Sequence, residues 1–292
     1  MIAYNPKDWF TFIFRIHKSD TVRRLFPMMI DIGAYSWLLA FIELSLLQLS
    51  HRDHLKNLTL LHSLLGFVIS LLLVFRTNTA YERWWEGRKL WGALVNTSRN
   101  LAIKINAMLG PDRVADRSYF NRVIPLYAQL LKAHLQLEKT RLSLDENEHP
   151  ELKEMVDGRH KPNQLARSMS ARVMEMHRQG VINGYEMLSL QTELQSFTDI
   201  CGACERIKNT PIPFSYSLFI KKFIFFYVMT LPMGFVFSLG YYVIPVVIFI
   251  FYVLTSIELI AEEIEDPFGG DENDLPLGKI AENIGKHVSE IL

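Results

Sequence analysis

Leu58–Trp85, LTLLHSLLGFVISLLLVFRTNTAYERWW, is the stretch from which the rest of the chain is read. Asn57 to Phe75 is uncharged and mostly apolar, about the length that crosses the hydrocarbon core of a bilayer. Arg76 follows, and then Arg83-Trp84-Trp85, a basic and aromatic group suited to a membrane–water interface. Two stripes run along the segment at helical spacing. Thr59, Ser63, Gly66 and Ser70 form a small or hydroxylated one, of the kind that lets helix backbones approach closely in lipid. Phe67, Leu71 and Phe75 form a bulky one. By periodicity alone the bulky stripe can face lipid, a neighbouring helix or the axis of an assembly, and the function turns on which.

The 292 residues carry 31 basic and 31 acidic side chains, so net charge gives no pull toward nucleic acid. Hydrophobic content is 49% and comes in blocks, the pattern of membrane spans joined to soluble segments. The two cysteines, Cys201 and Cys204, exclude a disulfide framework and fit a reducing compartment. The first apolar block begins near Leu25, too late and too long for a cleaved signal peptide, and reads as a retained span.

Toward the N-terminus, residues 1–25 set Trp9, Phe10, Phe12, Ile13, Phe14 and Ile16 among Lys7, Arg15, Lys18, Arg23 and Arg24. That is an amphipathic basic arm for a membrane surface. Residues 26–80 hold spans one and two. Span one, roughly Phe26 to Leu49, contains Asp31 and Glu43, which fit the headgroups beside Arg23 and Arg24 and the far interface. The loop Ser50–Lys56 has two fixed positive charges against five in the arm, and Arg76, Arg83, Arg88 and Lys89 follow span two. The positive-inside rule puts the N-terminus and the region after span two in the cytoplasm.

Residues 81–217 hold no further span and read as a cytoplasmic helical region. Leu94, Ser98, Leu101, Ile105 and Met108 share a helix that Gly110-Pro111 stops. A second helix, through Val123, Tyr127, Leu130 and Leu131, is expected to kink at Pro125. Ser143–Pro162 reads as a polar surface loop. Asn163 is placed as the N-cap of a helix bearing Leu165, Met169, Val173 and Met176 and ending at Gly180. Another starts near Asn183-Gly184, with the stripe Met187, Leu190, Leu194, Phe197, Cys201, Cys204. Cys-Gly-Ala-Cys could be a redox dithiol or half of a zinc site. Both cysteines continue this core seam and no second Cys pair exists, so they read as small buried hydrophobes.

Thr210-Pro211-Ile212-Pro213 breaks the helix. Phe223–Ile257 then runs about 35 uncharged residues, about 50 Å as one helix against a core of about 30 Å. It must fold back, near Gly240-Tyr241-Tyr242, with Pro245 opening the return helix. Residues 218–258 thus supply spans three and four. The expected fold is an all-α membrane protein with four transmembrane helices, a large cytoplasmic helical region and both termini cytoplasmic. Residues 259–292 form an acidic cytoplasmic tail. Its carboxylates read as a solvated turn or as hard-cation ligands, without the ligand order of an EF-hand.

Three segments together resemble the bestrophin family of ion channels, and its bacterial branch in character. They are Tyr81-Glu82-Arg83-Trp84-Trp85, Cys204-Glu205-Arg206-Ile207-Lys208-Asn209-Thr210-Pro211-Ile212-Pro213-Phe214, and Glu265-Asp266-Pro267-Phe268-Gly269-Gly270-Asp271. The resemblance covers nearly the whole chain, and Asp-Pro-Phe-Gly just after a fourth span is its most specific part. It implies a homopentamer around one axial pore in the plasma (inner) membrane. Partners would be its own copies, membrane lipid and small monovalent ions, with no nucleic acid and no catalytic role. Aligning on Arg83-Trp84-Trp85 puts a hydrophobic pore neck at Phe67, Leu71 and Phe75, and aligning back from Pro213 puts a cytoplasmic aperture at Tyr185. A ring of such Phe–Leu–Phe stripes is a dry tube that gates by excluding water.

Eukaryotic relatives bind calcium after the same Pro-Phe-Gly, and Asp271 and Asp274 fall at carboxylate positions of that clasp. Gly270 and Asn273 replace acids there, which argues against calcium gating and for no required cofactor, although calcium or another divalent cation keeps two possible ligands. Ion sign stays open. Eukaryotic members conduct anions such as chloride, the bacterial branch includes cation-permeable channels, and aromatic rings offer edges to anions and faces to cations. Two other classes compete: a membrane-anchored metal-dependent enzyme built on the acidic tail, and a non-conducting pentameric scaffold. The enzyme would need His287 as its base, and no HExxH, Gly-rich phosphate loop or Ser-His-Asp pattern supports it.

Overall fold

The computed structural model describes residues 21–46, 57–136 and 159–292, and these are helical apart from turns. The basic arm before Thr21, the Ser50–Lys56 loop and most of the Ser143–Pro162 loop lie outside the described residues. In chain order the helices are α1 (Thr21–Phe41, extended by a π-turn at Ile42–Leu46), α2 (Asn57–Met108), α3 (Val114–Leu135) and α4 (Lys161–Arg178). Then follow α5 (Gly184–Asn209), α6 (Phe214–Leu239), α7 (Val243–Glu265) and α8 (Leu277–Ile291).

Among the described residues, three stretches are long and apolar enough to cross a membrane: Thr21–Ser45, a part of Leu58–Met108, and Phe214–Glu265. The third is interrupted by a 3₁₀ turn at Gly240–Tyr242, where Gly240 takes φ 55°, a conformation a side chain resists. The chain reverses there. Lys221 near the start of α6 pairs with Glu262 near the end of α7 at 2.9 Å, so the two helices run antiparallel as expected.

α2 is one rod of 52 residues, about 78 Å at the usual rise. No proline interrupts it, and lone glycines cost only about 1 kcal/mol each against alanine. Span two and the first cytoplasmic helix, read separately from sequence, are therefore one element. It stops at Met108, before Gly110-Pro111, as expected.

The chain divides into two compact units, with the boundary in α2 falling between Arg83 and Trp84. One is a bundle of α1, the first half of α2, α6 and α7. Its core holds Leu25, Ile69, Leu73, Ile224, Val228, Leu231, Val247 and Phe251. α2 runs antiparallel to α6: Thr59 donates to the Gly234 carbonyl, His62 meets the Thr230 hydroxyl, and Tyr227 lies against Gly66. The other unit joins the remainder of α2 to α3, α4, α5 and α8 around Trp91, Leu101, Tyr127, Leu131, Met169, Phe197 and Phe268. α3 continues through Pro125.

Two expectations are corrected. The N-cap of α4 is His160, whose side chain accepts from the Asn163 N–H; Pro162 is favourable in a first turn, so the helix starts ahead of Asn163. The acidic tail is not all tail. Leu277, Ala281, Ile284 and Val288 recur on one buried face, which packs α8 against α3.

Candidate functional site

One side of α2 is spent inside the bundle. His62, Ile69, Leu73, Arg76 and Ala80 are buried at spacings of three, four or seven, the seam of a helix packed on one face. The opposite side carries Phe67, Leu71 and Phe75, which are 69%, 46% and 56% exposed on the isolated chain. The bulky stripe is thus not used for packing within the subunit. The small stripe splits. Thr59 and Gly66 do bring α2 close to α6, and a Cβ on Gly66 would stand 2.7 Å from the Tyr227 hydroxyl oxygen. Ser63 and Ser70 are instead exposed on the side of Phe67 and donate to their own helix, to the Thr59 and Gly66 carbonyls.

Below the apolar part of this helix the residues expected at a lipid interface turn toward protein. Arg76 is 1% exposed; its Nη2 donates to Glu265 at 2.7 Å, and its Nε lies 3.5 Å from Glu258. Arg83 donates from Nε to the Glu265 carbonyl, and Glu265 also accepts from the Ile212 N–H. Lys221 pairs with Glu262, and Arg24 with Glu263 rather than with Asp31. The other three bundle helices therefore all send bases to the last two turns of α7, α1 and α6 one each and α2 two. The negative end of a helix dipole favours cations there as well.

Tyr185 sits in the first turn of α5, 88% exposed. Its place is fixed by a capping box: Asn183 accepts from the Glu186 N–H at 2.9 Å, and Glu186 accepts from the Asn183 N–H at 2.7 Å. The rest of the helix holds its register through Leu190, Leu194, Phe197, Cys201 and Cys204, all buried. Burial, and after it the charge of Glu205, pushes the Cys201 thiol up to about 12; Cys204 is also raised to about 12, by burial first. Neither is a poised thiolate.

The Pro-Phe-Gly turn is a packed structure. Phe268 is fully buried against Gly87, where a Cβ would meet its ring at 3.1 Å and Pro267 at 3.1 Å. Trp84 donates from its indole N–H to the Asn273 carbonyl, and Gln136 donates to the Gly269 carbonyl. Asp274 is buried and accepts from the Asp271 N–H at 2.6 Å, while Asp271 is exposed. His287, the base that an enzyme reading would need, faces Arg99.

Sequence reasoning missed a cluster in the second unit. His134 at the end of α3, His160 at the cap of α4 and Glu205 in α5 converge. Both Nε2 atoms lie 2.6 Å from the same Glu205 oxygen, and the rings are 4.3 Å apart. The Asn163 N–H donates to His160 Nδ1, so that ring carries its hydrogen on Nε2 and donates it to Glu205. Burial would raise the Glu205 carboxyl, but the hydrogen bonds from His160 and His134 outweigh it and hold it below the usual range. Partners up to 71 residues apart leave no spacing motif to find.

The family model described as "Bacterial/Fungal Bestrophin protein" matches residues 1–290. A voltage-dependent anion channel-forming protein of Nostoc sp. is 36% identical over 234 residues, 77% of this chain and 75% of that protein. The voltage-dependent anion channel-forming protein YneE of Salmonella typhi is 29% identical over 285 residues, 97% of this chain and 91% of its own length. The crystal structure of a bacterial bestrophin homolog from Klebsiella pneumoniae superposes with a TM-score of 0.80 at 24% identity, covering 92% of this chain and 99% of that one. The relatives named are channel-forming proteins, not enzymes. This chain belongs to the bacterial and fungal bestrophin family.

Proposed function

We propose that the chain is one subunit of a homopentameric channel for small monovalent ions in the plasma (inner) membrane, with four transmembrane helices per subunit and both termini cytoplasmic. The observation that carries this reading is the face of α2 bearing Phe67, Leu71 and Phe75, left uncovered while its other face is consumed by the bundle. Ser63 and Ser70 stand exposed along the edge of that face, beside Phe67, and polar groups at membrane depth favour protein or water over lipid. Repeated around an axis, the stripe forms the neck, and its dewetting is the gate. Tyr185 forms a second constriction at the cytoplasmic aperture. The α6–α7 hairpin supports spans three and four, and the basic residues gathered beside the end of α7 support a cytoplasmic placement of that end. The names of the Nostoc and Salmonella relatives favour anions.

The tail needs no cofactor on this reading. The Asp274 carboxylate serves its own turn by accepting from the Asp271 N–H, and the Phe268 contact with Gly87 holds the turn in place.

The experiment is purified protein in planar bilayers under a salt gradient, with native mass spectrometry of the same preparation. Unitary currents with a reversal potential on the anion side, and a pentamer in the gas phase, are expected. Currents no larger than those of protein-free bilayers, or a monomer or dimer under mild conditions, would remove the axial pore. Recordings with and without micromolar calcium should match. Steep opening by calcium that is lost in Asp271→Asn/Asp274→Asn would restore a working clasp.

A further inference from the structure

The convergence of His134, His160 and Glu205 has no part in packing the bundle or lining the stripe of α2. We propose that these three side chains form a site for a divalent transition-metal ion of the zinc class, held through the two imidazole Nε2 atoms and a carboxylate oxygen. Three different elements supply the donors, and the three donor atoms lie within 4.8 Å of one another. Ligands about 2.0–2.1 Å from a tetrahedral zinc stand about 3.4 Å apart. The 2.6 Å contacts to Glu205 therefore need to open by less than about 1 Å, within reach of side-chain torsions.

The donor set selects the ion. Calcium and magnesium take oxygen ligands, whereas two imidazoles and one carboxylate suit zinc and its first-row neighbours. All three side chains are part-exposed, so a hydrated ion can reach them, and water can complete the coordination shell. The proton balance is explicit. In the free site each Nε2 carries a hydrogen and donates it to Glu205. On binding, each neutral ring loses the Nε2 hydrogen to water and takes one up on Nδ1, with no net change in protons, and the freed Nε2 lone pair goes to the metal. For His160 that hydrogen faces the Asn163 N–H, so the cap bond of α4 is lost, and the ion replaces the two hydrogen bonds to Glu205 as the tie between α3, α4 and α5.

The test uses the full chain in detergent, stripped with a chelator and titrated with zinc against a metallochromic indicator. One ion per chain is expected. His134→Ala, His160→Ala and Glu205→Gln should each weaken binding at least tenfold, while His177→Ala and His287→Ala, at other surfaces, should not. Zinc should raise the thermal midpoint of the wild type and leave that of His134→Ala unmoved. Should the variants fail to fold, the cobalt-loaded wild type decides: an intensified visible band of four- or five-coordinate cobalt supports the site. Weak absorption like that of hydrated cobalt overturns it. Equal zinc affinity in wild type and in His134→Ala/Glu205→Gln also overturns it, and means an adventitious ion only.

Discussion

Arg76 is a guanidinium on an otherwise apolar helix, enclosed by protein and paired with Glu265 and Glu258. Removing the cation would strand two carboxylates where water cannot reach them well. Arg76→Ala is therefore expected to destabilise by about 3–5 kcal/mol, the usual cost of breaking one side of a buried pair. Lys221 and Glu262 form the same kind of pair in the open, both about half exposed. Lys221→Ala should cost less than about 1 kcal/mol. Thermal unfolding in one detergent compares the two directly. Equal losses would mean that Arg76 is not the enclosed ion its surroundings make it. Its charge was plain from sequence and its partners were not. Glu265 lies 189 residues away, and no local pattern distinguishes an arginine at a lipid interface from one turned into a bundle.

At the scale of elements, legibility follows periodicity. α5 could be read to its cap because an Asn-Gly start and an unbroken three-four stripe coincide with a buried face. The break at Gly240 could be read because an uncharged run that long cannot remain one span. α8 was missed because the acidic run before it dominates the composition, although Leu277, Ala281, Ile284 and Val288 carry a helical period. The three-helix meeting at Glu205 was invisible, since only folding brings His134 and His160 to it. The contact of α2 with the Pro-Phe-Gly turn gives the prediction at this scale. Gly87 leaves no room for a side chain, with Phe268 and Pro267 atoms 3.1–3.2 Å from where a Cβ would be. Gly87→Val should overpack the turn and cost about 1–3 kcal/mol. A variant as heat-stable as wild type would show that the turn yields without loss.

For the whole molecule, the long apolar helices, the folded helical unit and the match over nearly the whole length to the bestrophin family agree on a membrane channel scaffold. The choice that periodicity left open was what Phe67, Leu71 and Phe75 face. The chain buries one side of α2 and leaves these three uncovered, and the proposed function covers them with copies of the chain around an axis, where a dry ring would set the barrier to ions. Tyr185→Ala belongs to the same reading and should raise unitary current at the wetter aperture. The most direct measurement is single-channel current through Phe67→Ala/Leu71→Ala/Phe75→Ala in planar bilayers, alongside wild type and with pentamer formation checked. A wider, wetter neck should pass a larger current with selectivity little changed, because the stripe carries no fixed charge. A well-folded pentameric variant whose unitary current equals that of wild type would place these side chains against lipid and contradict the neck.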